Sequence, residues 1–221
     1  MQPVDRRHFL TIAGAGLTLA FVDRPALADS LAQSTATRVA YLTFDDGPGG
    51  GTAATRRILD AAGVPGTFFV VGSRARRAKP TLASMVRDGH SVQNHSWSHI
   101  DLRTMDDPRR DLARCSNLIE EATGRRPSYY RPPYGATNAR VRRAGKKAGM
   151  KEMLWNLSAT PPLAHRDPPW RYRQRIDEVL AKTNYVVTLF HDASGDVEGT
   201  LKLLPESIKG FKERGFVFRT F

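Results

Sequence analysis

The chain has 221 residues, which is enough for one domain with a buried core and leaves little room for two. Hydrophobic residues make up 40% and charged residues 25%, a composition typical of a soluble globular protein. The single cysteine, Cys115, excludes an intramolecular disulfide, and we expect it to be a small buried residue within a helix. The net charge of +12 favours acidic partners, but the basic residues are scattered and form no arginine-rich tail.

The first 28 residues have the pattern of an export signal. Arg6 and Arg7 precede an uncharged stretch over residues 11–22, and small residues before position 29 allow cleavage after Ala28. The paired arginines indicate the twin-arginine route. The apolar stretch is shorter than the roughly 20 residues of a transmembrane helix. The alternative is an anchor that is not cleaved.

Two further segments follow the predicted signal. Residues 29–37 are rich in Ser, Ala and Thr and are predicted to form a linker. Residues 38–221 are predicted to form the catalytic domain.

The rest of the chain alternates strand patterns with helical ones. Strands are predicted at 39–44, 67–71, 91–94, 128–131, 152–157, 185–190 and 216–220. Helices are predicted at 52–62, 80–88, 108–123, 138–148 (with Thr137 as the cap), 171–182 and 205–214. This alternation predicts parallel pairing, either in an open doubly wound sheet or in a barrel. Because no G-x-G-x-x-G loop follows the first strand, we favour an α/β fold with a barrel-like closure of about seven parallel strands.

Unusual polar residues follow the predicted strands at their carboxyl ends. In a parallel α/β fold these ends lie on one face, where active sites are built. The residues are, in chain order, Asp45, Asp46, His95, His99, Arg131, His191 and Asp192. His191 stands beside Asp192, as expected for a general acid, although a buried core histidine is the alternative.

Two histidines and the paired aspartates predict a metal site. His95 and His99 are four residues apart, so both imidazoles face the same way if the segment is helical. Two histidines and a carboxylate suit Zn²⁺ with one position left open for water. No glutamate follows His95, so the segment differs from the H-E-x-x-H pattern of metalloproteases. Taken alone, Asp45-Asp46 is equally consistent with a polar turn.

Four segments together resemble a known family. They are Thr43-Phe44-Asp45-Asp46-Gly47-Pro48, His95-Ser96-Trp97-Ser98-His99, Arg131-Pro132-Pro133-Tyr134 and Leu189-Phe190-His191-Asp192. In this order they are similar to the polysaccharide deacetylases of the NodB-homology type, carbohydrate esterase family 4. The resemblance extends over residues 39–221 and implies a distorted (β/α) barrel that binds a divalent metal, usually Zn²⁺.

The resemblance also implies roles for single residues. Asp46, His95 and His99 would be the metal ligands. Asp45 would be the general base that deprotonates the attacking water. Arg131 would orient Asp45.

Further roles concern the substrate and the general acid. The backbone N–H of Tyr134 would stabilise the oxyanion, His191 would protonate the leaving group, and Leu189 would contact the acetyl methyl. Trp155 is expected to bind substrate. The family usually has aspartates after this tryptophan that polarise the acid histidine, but here no aspartate appears before Asp167. Either Asp167 takes this role or the role is lost.

These features predict an exported enzyme, periplasmic or secreted, that removes N-acetyl groups from an N-acetylglucosamine-containing polysaccharide such as peptidoglycan or chitin. An O-acetyl esterase of the xylan type and a glycan-binding pseudoenzyme are the alternatives. The export segment argues against nucleic acid as a partner, although the charge alone would allow it. We expect a monomer with no stable membrane insertion once the signal is cleaved.

Overall fold

Nine short strands, all paired in parallel, form the sheet of this protein, seen in a computed structural model that describes residues 37–158 and 169–221. The predicted signal segment, the linker up to residue 36 and Asp167 lie outside the described residues. Residues 37–221 belong to one compact unit. Among the helices that the structure describes, none is long and apolar enough to cross a membrane.

The strands are short and follow one another along the chain in the predicted places. They are β1 (Val39–Tyr41), β2 (Thr43–Asp45), β3 (Thr67–Val70), β4 (Ser91–Asn94), β5 (Tyr129–Tyr130), β6 (Lys151–Glu152), β7 (Leu157–Ser158), β8 (Tyr185–His191) and β9 (Val217–Phe218). β1 and β2 are separated by Leu42 alone and pair with β8 in one register, so they act as a single strand.

The single strand formed by β1 and β2 has parallel neighbours on both of its sides. β3, β4, β5 and β6 follow β2 in sequence order, while β8 lies on the other side and β7 pairs with it. β9 pairs with β1. The predicted α/β fold with a distorted barrel of about seven parallel strands is therefore confirmed. Among the described residues no pairing joins β6 to β7, so the barrel is open there.

The predicted fifth strand, 152–157, is wrong as a single element. Its first part belongs to β6 and its last part to β7, and these two strands pair with different neighbours. The carbonyl groups of Met153 and Leu154, between the two strands, accept hydrogen bonds from Arg131 at 3.0 and 3.1 Å. Because these carbonyls bind a side chain, the chain leaves the ladder at this point.

Helices connect the strands and cover the sheet. They are α1 (Thr52–Ala62), α2 (Gly72–Ala75), α3 (Lys79–Arg87), α4 (Pro108–Thr123), α5 (Ala139–Lys147), α6 (Pro169–Leu180) and α7 (Val197–Glu213), with a 3-10 turn at Pro133–Gly135. α1 and α4 have the predicted bounds, whereas the short α2 was not predicted. The carboxylate of Asp107 caps α4 by accepting the Arg110 N–H at 3.0 Å, as expected.

The starts of α5 and α7 differ from prediction, and their capping residues explain the difference. Asn138, and not Thr137, caps α5, because the Asn138 Oδ1 accepts the Val141 N–H at 3.0 Å. α7 begins at Val197, well before the predicted start at Pro205, because Asp196 caps it by accepting the Gly199 N–H at 2.7 Å. Because proline lacks an N–H, it is favoured in the first turn of a helix, so Pro205 suggests a helix start in the sequence. In the structure Pro205 lies within α7.

The hydrophobic core lies between the sheet and the helices. Phe44 stacks on Phe68 at 5.0 Å and on Phe190 at 5.6 Å between ring centroids, and all three are fully buried. Cys115 of α4 is also fully buried, as predicted. The core thus fixes β2, β3 and β8, and the carboxyl ends of β2 and β8 carry Asp45 and His191.

Candidate active site

The first pair of site residues stands where a buried strand stops. Phe44 and Asp45 end β2, and Asp46 follows with a φ of 77°, in the left-handed region that side chains rarely adopt. Adjacent residues of a strand point to opposite sides, and the turn at Asp46 brings its carboxylate back toward the same pocket as Asp45. Both carboxylates are buried.

The two histidines are brought together by a loop, and the helical arrangement considered for them is wrong. His95 directly follows β4, and residues 95–99 form no helix. Ser96 has a φ of 67° and His99 a φ of 56°, so the chain turns back sharply between the two imidazoles. The Ser96 hydroxyl accepts the His99 N–H at 2.9 Å and closes this turn. The ring centroids of His95 and His99 lie 5.1 Å apart.

Backbone strain is concentrated at this site. In the described part of the chain, four residues other than glycine have a positive φ: Asp46, Ser96, His99 and Tyr134. Each such conformation costs about 1 kcal/mol or more and persists only where the surroundings hold it. All four belong to the loops that carry the predicted site residues, which indicates that the strain serves the geometry of the site.

Asp46, His95 and His99 form a cluster that fits a metal ion. One ligand atom from each lies within 4.8 Å of the others. Asp46 Oδ1 lies 3.4 Å from His95 Nε2 and 2.8 Å from His99 Nε2, yet this buried oxygen has no partner with hydrogen-bond geometry. His95 Nδ1 lies 2.8 Å from the Arg131 carbonyl oxygen, so Nδ1 donates its proton there and Nε2 faces the cluster as a ligand would.

Charges around this cluster also favour a cation. Burial alone would raise the pKa of Asp46, but contacts with His95, His99 and Ser194 hold it far below its ordinary value. Burial would lower the pKa of His95, but the carboxylates of Asp45 and Asp46 raise it. Both pKa shifts indicate that the cluster stabilises a positive charge at its centre.

Arg131 lies behind the pocket and holds Asp45. The guanidinium group is fully buried, which lowers its pKa, while the nearby Asp45 carboxylate opposes this effect. Nη1 donates to Asp45 Oδ1 at 2.7 Å and to Thr43 Oγ1 at 2.8 Å. Because the other guanidinium nitrogens donate to backbone carbonyls, the side chain is fixed in one orientation. The other carboxylate oxygen, Asp45 Oδ2, is not bonded to Arg131 and lies 3.7 Å from His95 Nε2.

The cluster opens into a pocket of about 500 Å³. Its lining consists of Asp45, Asp46, His95, His99, Tyr134, Gly135, Trp155, Leu189, His191, Ser194 and Gly195. The predicted site residues are in this lining except Arg131, which lies behind it, Asp192, and Asp167, which lies outside the described residues. The Tyr134 ring is 70% exposed and packs edge-on against His99 at 5.0 Å.

His191 faces the pocket, but its neighbour Asp192 does not assist it. The Asp192 carboxylate is fully buried, accepts the Thr52 hydroxyl at 2.5 Å and packs against the backbone of Gly47. Burial raises the pKa of Asp192 to about 7. His191 Nδ1 is buried without a hydrogen-bond partner, and burial lowers the pKa of this histidine. The expectation that Asp192 supports His191 is therefore wrong, because successive strand residues point to opposite faces.

Three contributors to the site were not predicted. The Ser194 hydroxyl donates to Asp46 Oδ2, and Arg74 Nη1 donates to the Asp46 carbonyl at 2.6 Å. Asp111 of α4 accepts the Trp97 N–H, between the two histidines, at 2.7 Å. Serine, arginine and a helix aspartate are each common in any sequence, so no sequence pattern pointed to these three residues.

Comparisons with known proteins agree with this geometry. The family model described as Polysaccharide deacetylase matches residues 32–153, more than half of the chain. The chain belongs to the polysaccharide deacetylase family. It is therefore a member of a family of hydrolases, and the predicted resemblance to this family is confirmed.

Relatives of this chain include proteins named as peptidoglycan deacetylases. The chain is 38% identical to the peptidoglycan-N-acetylmuramic acid deacetylase PdaC of Bacillus subtilis over 125 residues, 54% of this chain and 26% of PdaC. It is 28% identical to a peptidoglycan-N-acetylglucosamine deacetylase of Bacillus cereus over 200 residues, 83% of this chain and 69% of that protein. Among solved structures, the T48 deacetylase with substrate matches with a TM-score of 0.71 and 27% identity, over 85% of this chain and 90% of that chain.

Proposed function

We propose that this protein is a metal-dependent deacetylase that hydrolyses N-acetyl groups of an N-acetylglucosamine-containing polysaccharide, of the peptidoglycan or chitin type, and releases acetate. The observation that carries the proposal is the convergence of Asp46, His95 and His99 beside Asp45 and His191 in one pocket. The names of the relatives support peptidoglycan as the substrate class.

Asp46, His95 and His99 would hold the metal, and Zn²⁺ is the ion expected for two imidazoles and one carboxylate. When bound, such an ion lowers the pKa of water and polarises the acetyl carbonyl. The protein contributes ligands whose orientation is fixed in advance, because His95 is held by a backbone carbonyl and His99 by a strained turn.

Asp45 is proposed as the general base. Arg131 occupies its Oδ1, so Oδ2 is the oxygen that can take a proton from the attacking water. The ion pair with Arg131 also fixes the orientation of the carboxylate, which a base requires.

The remaining residues would act on the substrate. The backbone N–H of Tyr134 has no acceptor within the described residues and is proposed to donate to the oxyanion. His191 would give a proton to the leaving nitrogen as the C–N bond breaks, so that water and the amide yield an amine and acetate. Leu189 and Trp155, both in the pocket lining, would contact the acetyl methyl and the sugar.

Acetate release from a panel of substrates tests the proposal. We expect metal-reconstituted protein to release acetate from N-acetylated peptidoglycan fragments or chitooligosaccharides, and removal of the metal with a chelator to abolish the reaction. Activity on O-acetyl groups alone would reject the N-deacetylase. Glycan binding without any acetate release would identify a pseudoenzyme.

One observation favours the O-acetyl esterase as the second candidate. His191 Nδ1 has no partner to strengthen it as an acid. An amine must be protonated to leave, whereas an alcohol depends less on this proton. A weakly supported acid would therefore impair amide hydrolysis more than ester hydrolysis. The rates of acetate release from matched N-acetyl and O-acetyl sugars, measured under the same conditions, distinguish the two candidate activities.

The site of action is proposed to lie outside the cytoplasm. The basis is the twin-arginine-type pattern in residues 1–28 and the cell-wall substrates in the names of the relatives. The catalytic domain would comprise residues 38–221 and act as a monomer. Fractionation of cells producing the full chain, with detection of the shortened mature form, tests this assignment.

A further inference from the structure

Helix α5 presents an unusually basic surface. It carries five basic residues and no acidic residue in nine positions, and all five side chains are exposed. We call these the α5 basic face: Arg140, Arg142, Arg143, Lys146 and Lys147. The opposite side of the helix, with Val141, Ala144 and Gly145, is buried in the fold.

In residues 37–158 and 169–221, no acidic side chain forms an ion pair with the α5 basic face. Arg140 donates only to the carbonyl groups of Arg103 and Met105. Glu152, on the strand after α5, instead accepts a hydrogen bond from the Tyr130 hydroxyl at 3.0 Å. The five charges therefore stay available to a partner.

The stability of the helix does not account for these charges. Lys146 and Lys147 in the last turn do favour the helix dipole. Arg140 lies in the first turn, where a positive charge opposes it. Arg142 and Lys146 are four residues apart, as are Arg143 and Lys147, and such like-charge pairs destabilise a helix. Charges that destabilise the helix carrying them indicate a role other than folding.

The α5 basic face starts beside the proposed active site. The turn at Pro133–Gly135 lines the pocket with Tyr134 and Gly135, and α5 follows after three residues. The Arg140 guanidinium contacts carbonyls of the loop that continues from His99. The helix leads away from the pocket for about 13 Å, given 1.5 Å per residue.

Among the described residues, the lining of the pocket includes no lysine or arginine that could pair with an anion. It contains the carboxylates of Asp45 and Asp46, and Asp45 engages the guanidinium of Arg131 behind it. Anionic groups of a long substrate would therefore find their complementary charge outside the pocket, on the adjoining surface.

We propose that the α5 basic face binds an acidic glycan strand, a polysaccharide carrying carboxylates, along the part of the chain that extends beyond the pocket. This proposal rests on the proposed function, because it names a substrate class for the same site. A membrane surface fits less well, since such helices bury an apolar face in lipid and the apolar face of α5 is already buried. Single-stranded nucleic acid fits less well because no aromatic residue lies within α5 for base stacking.

Matched charge variants test the proposal in the full chain. The test variant replaces three residues of the α5 basic face, with Arg143→Gln, Lys146→Gln and Lys147→Gln. The control removes the same three charges from α1 and α7, with Arg57→Gln, Lys202→Gln and Lys209→Gln, all exposed positions. KM and kcat are measured on soluble peptidoglycan fragments that keep their peptide carboxylates and on neutral chitooligosaccharides. Binding to insoluble peptidoglycan is measured by sedimentation at low and high salt.

We expect the test variant to raise KM for the acidic fragments about tenfold at low salt. The effect should shrink at high salt, while kcat and the KM for the neutral substrate stay unchanged. The control should behave as the wild type. Equal effects of both variants, or of neither, would overturn the proposal, as would a test variant that loses binding to DNA or anionic vesicles but keeps glycan binding. If the wild type releases no acetate at all, the proposed function fails, and sedimentation still decides whether α5 binds the acidic glycan.

Discussion

At the scale of single residues, Asp45 has one oxygen engaged and one directed toward the cluster. Arg131 holds Oδ1 at 2.7 Å, and Oδ2 lies 3.7 Å from His95 Nε2. We expect Asp45→Asn to lower kcat about 100-fold or more because the amide cannot take a proton. Its oxygen can still accept the Arg131 hydrogen bond, so metal content should stay the same. Acetate release together with elemental analysis checks both statements, and retained turnover would remove Asp45 as the base.

His95 and His191 provide a matched pair of histidines in the same pocket. His95→Ala removes a ligand atom from the cluster, so we expect loss of the bound metal and of activity. His191→Ala leaves the cluster complete, so we expect loss of turnover with the metal retained. Metal content measured on both variants decides the matter, and a His191 variant without metal would contradict the separate roles.

Sequence reasoning found the residues with distinctive chemistry and missed the ones that support them. Asp46 and His99 stand out because carboxylates and imidazoles at strand ends are rare without a purpose. Ser194 and Arg74 also reach Asp46, but they do so with residue types that occur on any surface. The lack of support for His191 from Asp192 follows from the alternating direction of strand residues, which the interpretation of this pair left out. The role of Asp167 stays a prediction.

At the scale of elements, the loop between the two histidines is held from outside. Asn94 Oδ1 accepts the Ser96 N–H at 2.8 Å, and Asp111 on α4 accepts the Trp97 N–H at 2.7 Å. The N–H groups of Gly72 and Ser73 donate to the carbonyls of Ser96 and Trp97. These bonds oppose relaxation of the strained turn, so the position of His99 depends on residues that touch no ligand.

Asp111 is therefore expected to act as a positioning residue for the metal ligands. Asp111→Leu removes the acceptor for the Trp97 N–H and should weaken metal binding about 10–100-fold, the range typical of residues that orient ligands. Asp111→Asn keeps an acceptor oxygen and should restore affinity. Metal titration of the two variants, with thermal unfolding of the metal-free forms alongside, separates positioning from general stability. Equal affinity in both variants would argue against the role.

Element boundaries show where sequence patterns suffice. α4 was predicted in full because Asp107 and Gly124 mark its two ends with a cap and a left-handed glycine. α7 was not, because Pro205 resembles a start and the true cap, Asp196, lies in a polar stretch. The 152–157 region failed for a different reason, since the position of Arg131 decides where that strand breaks. Local sequence signals were sufficient to predict the ends of an element where no side chain distant in sequence determined them.

At the scale of the whole molecule, we expect His90 to make stability depend on pH. The side chain is buried, its Nδ1 accepts the Gly66 N–H at 3.1 Å, and burial lowers its pKa while Asp60 opposes this effect. The unfolded chain thus binds the proton more readily than the fold. Stability is therefore fully present above about pH 6.5 and is lost as the pH falls through the lower pKa of the folded state.

His90→Asn tests this effect, because the Asn oxygen can accept the Gly66 N–H but does not titrate. We expect the Tm of the wild type to fall more between pH 7 and pH 5 than the Tm of the variant. Thermal unfolding followed by circular dichroism at both pH values measures the difference. Parallel pH profiles would show that other groups control acid stability.

The fully buried Cys115 has a practical consequence for experiments on this protein. Burial raises the pKa of its thiol, so the chain exposes no reactive sulfur in its folded form. A cysteine placed at the exposed ring position of Tyr134 would then be the sole site for a fluorescent or spin label. Such a probe at the mouth of the pocket would report the arrival of a glycan directly, without removal of any native thiol.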